Sequence, residues 1–374
     1  MANKINIKGL TTEELAEIIV KEGFPAYRAK QIFHWLYQKK VNSFKEMSNL
    51  PQDLINLLES LFHLESLNGL AQQKSKDGAQ KFLFQLSDKQ LIESVLIPNK
   101  ENNKESNKES NKKRNTICLS SQVGCLWHCL FCASGQRGFK RNLKAGEIIE
   151  QILAVQRLSG KTIQNVVFMG MGEPLDNYEQ LMKSINILND RLGMNIGARK
   201  ITISTCGIIP GIKKLAENPL QVELSVSLHA AEDKLRDYLM PVNRKYPLSQ
   251  LISVCREYVK KKNRQITFEY LMLKGINDSV DEAQKLSQLI SDFEAKVNLI
   301  IYNPLQTAQH EAIFSPSEEG TVYSFQQILK KSHIPVTVRC SKGQDIQAAC
   351  GQLRGAFLNN QVTLHNLTSI RDRL

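Results

Sequence analysis

Residues 116–135, TICLSSQVGCLWHCLFCASG, decide how the rest of the chain is read. TICLSS reads as a strand, and Cys125, Cys129 and Cys132 follow in the loop that leaves it. The spacing Cys-x3-Cys-x2-Cys lets one loop wrap three thiolates round a single metal centre. Zinc with His128 as fourth ligand is one reading. Against it, His128 adjoins Cys129, which makes simultaneous ligation awkward, and no second Cys or His pair of zinc-finger type lies near. Thiolates also hold iron–sulfur clusters, normally four at a time. A set of three leaves one iron of a [4Fe–4S] cluster open to a substrate or cofactor.

Downstream, NVVFMG, KITIST, VELSVSLH, QITFEYLML, VNLIIYN and IPVTVRC are further strand-like runs. Helix-periodic segments such as KAGEIIEQILAVQRLSG and NYEQLMKSINILNDRL separate them. Six βα-like units in succession predict a parallel sheet, since each parallel crossover needs an intervening helix. The fold class expected is α/β, a partial (β/α)6 barrel, with an open doubly wound sheet as the alternative that spacing leaves standing. In such folds reactive groups sit at the C-terminal ends of strands.

Upstream, residues 11 to 66 read as helical, with Thr11 or Thr12 capping TTEELAEIIVKEG and Ile32, Phe33, Leu36 and Tyr37 recurring at helical spacing. AQKFLFQLSD and KQLIESVLIP meet at Ser87–Gln90 and read as a β-hairpin. The run from Asn99 to Asn115, NKENNKESNKESNKKRN, has no apolar residue and reads as a surface loop. The expected organisation is a helical unit at 1–70, whose Arg28, Lys30, Lys39 and Lys40 form either a solvated basic face or an RNA-binding surface, a hairpin and low-complexity loop at 71–115, a barrel core at 116–345 and a C-terminal segment at 346–374.

Bulk composition narrows the function classes. Lys and Arg number 49 against 37 Asp and Glu, a net charge of +12 over 374 residues. That excess favours polyanionic partners such as RNA. No apolar stretch approaches the roughly 20 residues that cross a bilayer. The N-terminus, MANKINIKGL, carries charge where a secretion signal would be apolar. A cytoplasmic location without membrane attachment is expected, and there eight cysteines are not a disulfide framework.

VVFMGMGEPLDN places Gly170, Gly172, Glu173 and Pro174 after the second of these strands. Glycines admit a ligand close to the backbone, and a carboxylate there can pair with a cationic amine. Ser204 in ITISTCG, Ser227, Leu228 and His229 in VSLHA, and Asn303 in IIYNPL are small or polar groups at other strand ends. Cys118 on the first strand and Cys350 in DIQAACGQL would ordinarily be small buried hydrophobes.

Taken together, ICLSSQVGCLWHCLFCASGQRGFKRNL, MGMGEPLDNY, SVSLHA and DIQAACGQL resemble the RlmN/Cfr family of radical S-adenosylmethionine (SAM) RNA methyltransferases, its RlmN branch more nearly, over almost the whole chain. The resemblance implies a [4Fe–4S] cluster on Cys125, Cys129 and Cys132, with SAM chelating the open iron. It places Gly172, Glu173, Ser204, Ser227, Leu228, His229 and Asn303 against SAM. It also implies two SAM molecules per turnover. One methylates Cys350; the other yields a radical that activates the S-methyl group for addition to adenine C2. Cys118 then releases the product through a transient disulfide, and Glu93 in IESVLIP accepts the proton. The implied partners are 23S rRNA at the peptidyl-transferase region, tRNA at the adenosine 3′ to the anticodon, and an electron donor such as a flavodoxin-type reductant, with the protein a monomer. A Cfr-type enzyme acting at adenine C8 would use the same parts, and a zinc-bearing RNA-binding protein would need neither Cys118 nor Cys350. Cys206 stands where many relatives have serine and reads as a bystander thiol.

Overall fold

Ten strands run through a single sheet in which spatial order equals chain order. They are β1 (Asn68–Lys74), β2 (Gln80–Gln85), β3 (Leu91–Pro98), β4 (Asn115–Cys118), β5 (Asn165–Phe168), β6 (Ile201–Thr205), β7 (Glu223–Ser227), β8 (Ile266–Met272), β9 (Ala295–Ile301) and β10 (Val336–Arg339). The computed structural model describes residues 4–64, 67–98, 114–305 and 314–355. All but the last two residues of the low-complexity run at 99–115, and the C-terminal segment beyond 355, lie outside the described residues.

From β4 to β10 every neighbouring pair is parallel. Six crossovers join these seven strands, carried chiefly by Ala145–Ser159, Tyr178–Asn189, Ile209–Glu217, Leu248–Lys262, Val280–Ile290 and Glu319–Lys331. The six βα units read from the sequence are thus present, closed by a seventh strand. β10 and β1 are the two edges, so the barrel is partial. Strand β8 is buried along its whole length, as a parallel strand covered on both faces must be.

The hairpin is also present, as β2 and β3, with Lys89 in the left-handed region at φ 67°. One feature differs from expectation: a third strand, β1, pairs with β2, although NGLAQQK has too little apolar alternation to announce it. β3 pairs antiparallel with β4, Val95 opposite Cys118, so the hairpin extends the barrel sheet at its edge. Together with the turn that precedes β2, it also meets the segment that carries Cys350, with Asp77 accepting from Gly343 N and Glu93 from Arg354 N.

The N-terminal unit contains α1 (Thr12–Lys21), α2 (Tyr27–His34) and α3 (Gln52–Leu61). Thr11 caps α1 reciprocally with Glu14. The unit is riveted to the crossover helix Ala145–Ser159. A Cβ on Gly9 would lie 2.9 Å from the Gly146 nitrogen, a contact that only glycine permits. Lys8 Nζ meets Glu150 at 2.6 Å with both side chains buried, and Arg157 neutralises the second Glu150 oxygen. Breaking one arm of such a buried network strands a charge, which makes the orientation of this unit specific.

Candidate active site

The loop after β4 turns at Gly124 and carries the three cysteines back across the barrel end. Gly124 has φ 75°, and a Cβ there would sit 1.8 Å from the Gly138 carbonyl oxygen. Cys125, Cys129 and Cys132 all line one cavity of about 160 Å³. Burial pushes the Cys125 thiol up to about 12 and holds Cys129 and Cys132 above their ordinary value. Buried thiols of this kind stay protonated until a metal cation stabilises the thiolates. Among the described residues no three His, Cys, Asp or Glu side chains are gathered as a site for a metal ion. His128 is not on the cavity wall; its Nδ1 lies 2.8 Å from the Gly135 carbonyl oxygen. Three soft thiol donors lining one cavity fit a cluster with a vacant iron.

The strand ends supply the rest of the wall. Gly172 has φ 96°, and a Cβ there would be 2.4 Å from the Gln122 side chain, so the backbone reaches the cavity only as glycine. Glu173 is buried and its carboxylate accepts from Leu175 N at 2.9 Å and Cys206 N at 2.8 Å. Burial raises its pKa to about 7 against those donors. Ser204, Ser227 and His229 share the same wall. His229 Nδ1 accepts from Leu271 N at 3.0 Å, which puts the proton of the neutral ring on Nε2. Burial, helped by Arg236, lowers its pKa to about 3.

Two predicted residues stand behind the wall rather than on it. Leu228 is fully buried and donates its backbone N–H to the Glu269 carbonyl. Asn303 binds Ser341 Oγ at 2.9 Å and Gln344 Nε2 at 2.7 Å, tying the end of β9 to the segment that leads to Cys350.

Cys350 lies on the wall of this cavity and also on that of a second one, of about 190 Å³, where Cys118 sits. Both are free thiols. Burial, with Cys350 adding to it, pushes the Cys118 thiol up to about 12. Glu93 lines neither cavity. Its carboxylate accepts from Arg354 N at 2.8 Å and Gly355 N at 3.1 Å and pairs with Lys81 at 3.5 Å. It therefore holds the chain just beyond Cys350.

Residues 119–286 match the radical SAM superfamily, and residues 5–64 match the ribosomal RNA large subunit methyltransferase N-terminal domain. A protein of Akkermansia muciniphila named "Probable dual-specificity RNA methyltransferase RlmN" is 45% identical over 93% of this chain and 95% of its own. The chain belongs to the RlmN family of radical SAM RNA methyltransferases. A Staphylococcus haemolyticus relative of the same name is 42% identical over 94% of this chain and 93% of its own. The crystal structure of a radical SAM methyltransferase from Sphaerobacter thermophilus superposes with a TM-score of 0.85 at 43% identity, over 94% of this chain and all of that one. Membership makes the protein a SAM-dependent enzyme with a [4Fe–4S] cluster, and sets aside the zinc-bearing binding protein as an alternative. None of its helices is long and apolar enough to cross a membrane, among the described residues.

For an RlmN-family site, three residues escaped the sequence reading. Arg236 is fully buried and binds the carbonyls of Cys206, Ser227 and Leu228, fixing two strand-end loops. Glu269, buried on β8, lines the first cavity, and its Oε2 has no hydrogen-bond partner among the described residues. Arg339 ends β10 on the wall of the second. A charged residue inside an otherwise apolar strand, as in QITFEYLML, is the one signal that could have found Glu269.

Proposed function

We propose that the protein methylates C2 of adenosine in the peptidyl-transferase region of 23S rRNA and the adenosine 3′ to the anticodon in tRNA, by way of Cys350. The observation that carries this reading is the position of Cys350 on both cavities, one walled by the three cysteines and the other by Cys118. Adenine C2 lies between two ring nitrogens and is a poor nucleophile, so direct attack on a sulfonium methyl is unpromising. A sulfur that receives a methyl group on one side and is released by a second thiol on the other answers that difficulty. The relatives' names, which give dual specificity for RNA, support the two substrate classes.

Cys125, Cys129 and Cys132 would hold the cluster. When bound, cluster and SAM supply the methyl group and the radical that activates it. Glu173 would accept the SAM ammonium group, with Gly172 admitting it to the backbone. Ser204, Ser227 and His229 would contact the remainder of SAM, while Leu228 and Asn303 act through the loops they anchor. Cys350 carries the methyl group, and Cys118 resolves the RNA-bound intermediate by forming a disulfide with it. Glu93 accepts the proton, which requires Arg354 and Gly355 to withdraw from its carboxylate. The same reading takes 1–70, 71–115, 116–345 and 346–374 as functional units, and the protein as a cytoplasmic monomer served by a flavodoxin-type reductant.

Nucleoside analysis of rRNA and tRNA after incubation with reconstituted enzyme, reductant and SAM tests the proposal. 2-Methyladenosine in both RNAs is the expected product. 8-Methyladenosine in its place assigns a Cfr-type reaction instead.

A further inference from the structure

The second cavity contains a cation that the reaction as described does not use. Arg339 is half-buried on the cavity wall with Cys118 and Cys350. Among the described residues its hydrogen bond goes to the Met169 thioether, with Nη1 3.6 Å from Sδ, and it has no carboxylate at ion-pair distance. A thioether is a weak acceptor, so most of the guanidinium's five donors remain unspent. A partly desolvated guanidinium with no anion at ion-pair distance among the described residues is costly, and such a site favours the appearance of negative charge beside it.

The geometry points to Arg339 as the residue that stabilises the Cys118 thiolate for its attack on Cys350, a positioning role in the release step. This rests on the resolving function proposed above for Cys118. In that step the Cys118 sulfur bonds to the Cys350 sulfur and the bond between Cys350 and the RNA-borne methylene carbon breaks. The electron pair of that bond stays on the carbon, which takes up a proton and becomes the methyl group. Thiol plus thioether become disulfide plus methylated base, and the proton lost by Cys118 balances the one gained by carbon. Only the thiolate attacks, and burial works against it.

The groups facing Cys118 leave Arg339 in this role. Cys350 comes from the C-terminal segment and opposes ionisation, whereas Arg339 from β10 favours it, as does a hydrogen bond from the Met169 backbone. Lys342, also on the wall, donates to the Pro98 carbonyl, and Cys340 is exposed. The Cys350 sulfur, Glu269 and Cys118 favour the charged form of the guanidinium against its burial.

The test compares Arg339→Met and Arg339→Lys with wild type in reconstituted holoenzyme. With RNA, SAM and reductant, Arg339→Met should load labelled methyl on Cys350 normally and then accumulate the covalent protein–RNA adduct. Its release rate should fall at least about tenfold and shift its pH dependence upward by about one unit or more. Arg339→Lys should restore most of the rate. Wild-type release by Arg339→Met overturns the proposal. So does weakened RNA binding without adduct, which would make the arginine a phosphate contact.

A second readout needs no turnover. Alkylation of Cys118 by iodoacetamide, followed by peptide mass spectrometry across pH, should have a higher midpoint in Arg339→Met, or in Arg339→Lys if the first variant does not fold. An unchanged midpoint overturns the proposal. Should Cys118→Ala form no adduct, the resolving function itself fails, while the alkylation midpoint still reports the arginine's effect on the thiol.

Discussion

The two cavities that meet at Cys350 are built for opposite electrostatic tasks. The first is lined by buried thiols and by Glu173, whose pKa is raised by burial, so it is poised to take up positive charge. The second places the Arg339 guanidinium on one cavity wall with two thiols, where it offsets part of the burial that opposes negative charge on the Cys118 sulfur. Under the function proposed above, a cationic co-substrate occupies the first and a thiolate forms in the second. Cys350, on the wall of both, can serve each in turn.

Cys350→Ala removes the element common to both cavities, and methylation of rRNA and tRNA should fall to background while reductive SAM cleavage continues, as chromatography of the cleavage product would record. Cys118→Ala touches the second cavity alone. It should stop multiple turnover and leave RNA attached to the protein, visible as a shifted band on a denaturing gel; normal turnover would remove the second cavity from the account.

Glu173→Gln acts in the first cavity alone. Losing a charge-assisted hydrogen bond, about 1.5–3 kcal/mol, should weaken SAM about 10- to 100-fold by equilibrium dialysis. With its pKa near 7, Glu173 is anionic above that pH and neutral below it. SAM affinity in the holoenzyme should therefore hold above pH 7 and decline as the pH drops through it, and Glu173→Gln should flatten that decline. Gly172→Ala is the mildest change. A Cβ 2.4 Å from Gln122 at φ 96° should cost about 1–3 kcal/mol. Calorimetry should register it as a melting temperature lower by a few degrees, with SAM affinity reduced as well.

The same contrast explains what could be read from the chain in advance. The first cavity is assembled from short motifs at the ends of successive strands, so Cys125, Cys129 and Cys132 stood out by spacing, while Gly172, Glu173, Ser204, Ser227 and His229 were visible as strand-end residues that only the family resemblance joined into one site. The second is assembled where β10 and the C-terminal segment come back against β4, and no local pattern in VTVRC marks Arg339 as inward-facing. Glu93 was legible as a residue of the hairpin but not in its bonding, because its partners at 354 and 355 are distant in sequence. Asn303 occupies a strand end as expected, yet whether a side chain there meets the cavity or a neighbouring loop depends on packing that periodicity does not encode. Strand β1 escaped notice for a related reason: edge strands need only pair on one side, and a polar sequence suffices.

The passage of the methyl group through Cys350 is tested most directly with SAM whose methyl group carries three deuteriums. After a single turnover, peptide mapping should find label on the Cys350 peptide of enzyme withheld from RNA, and the adenosine product should carry a methyl group with two deuteriums and one hydrogen. An intact trideuterated methyl group on the base, with Cys350 unlabelled, would mean direct transfer and would contradict the account.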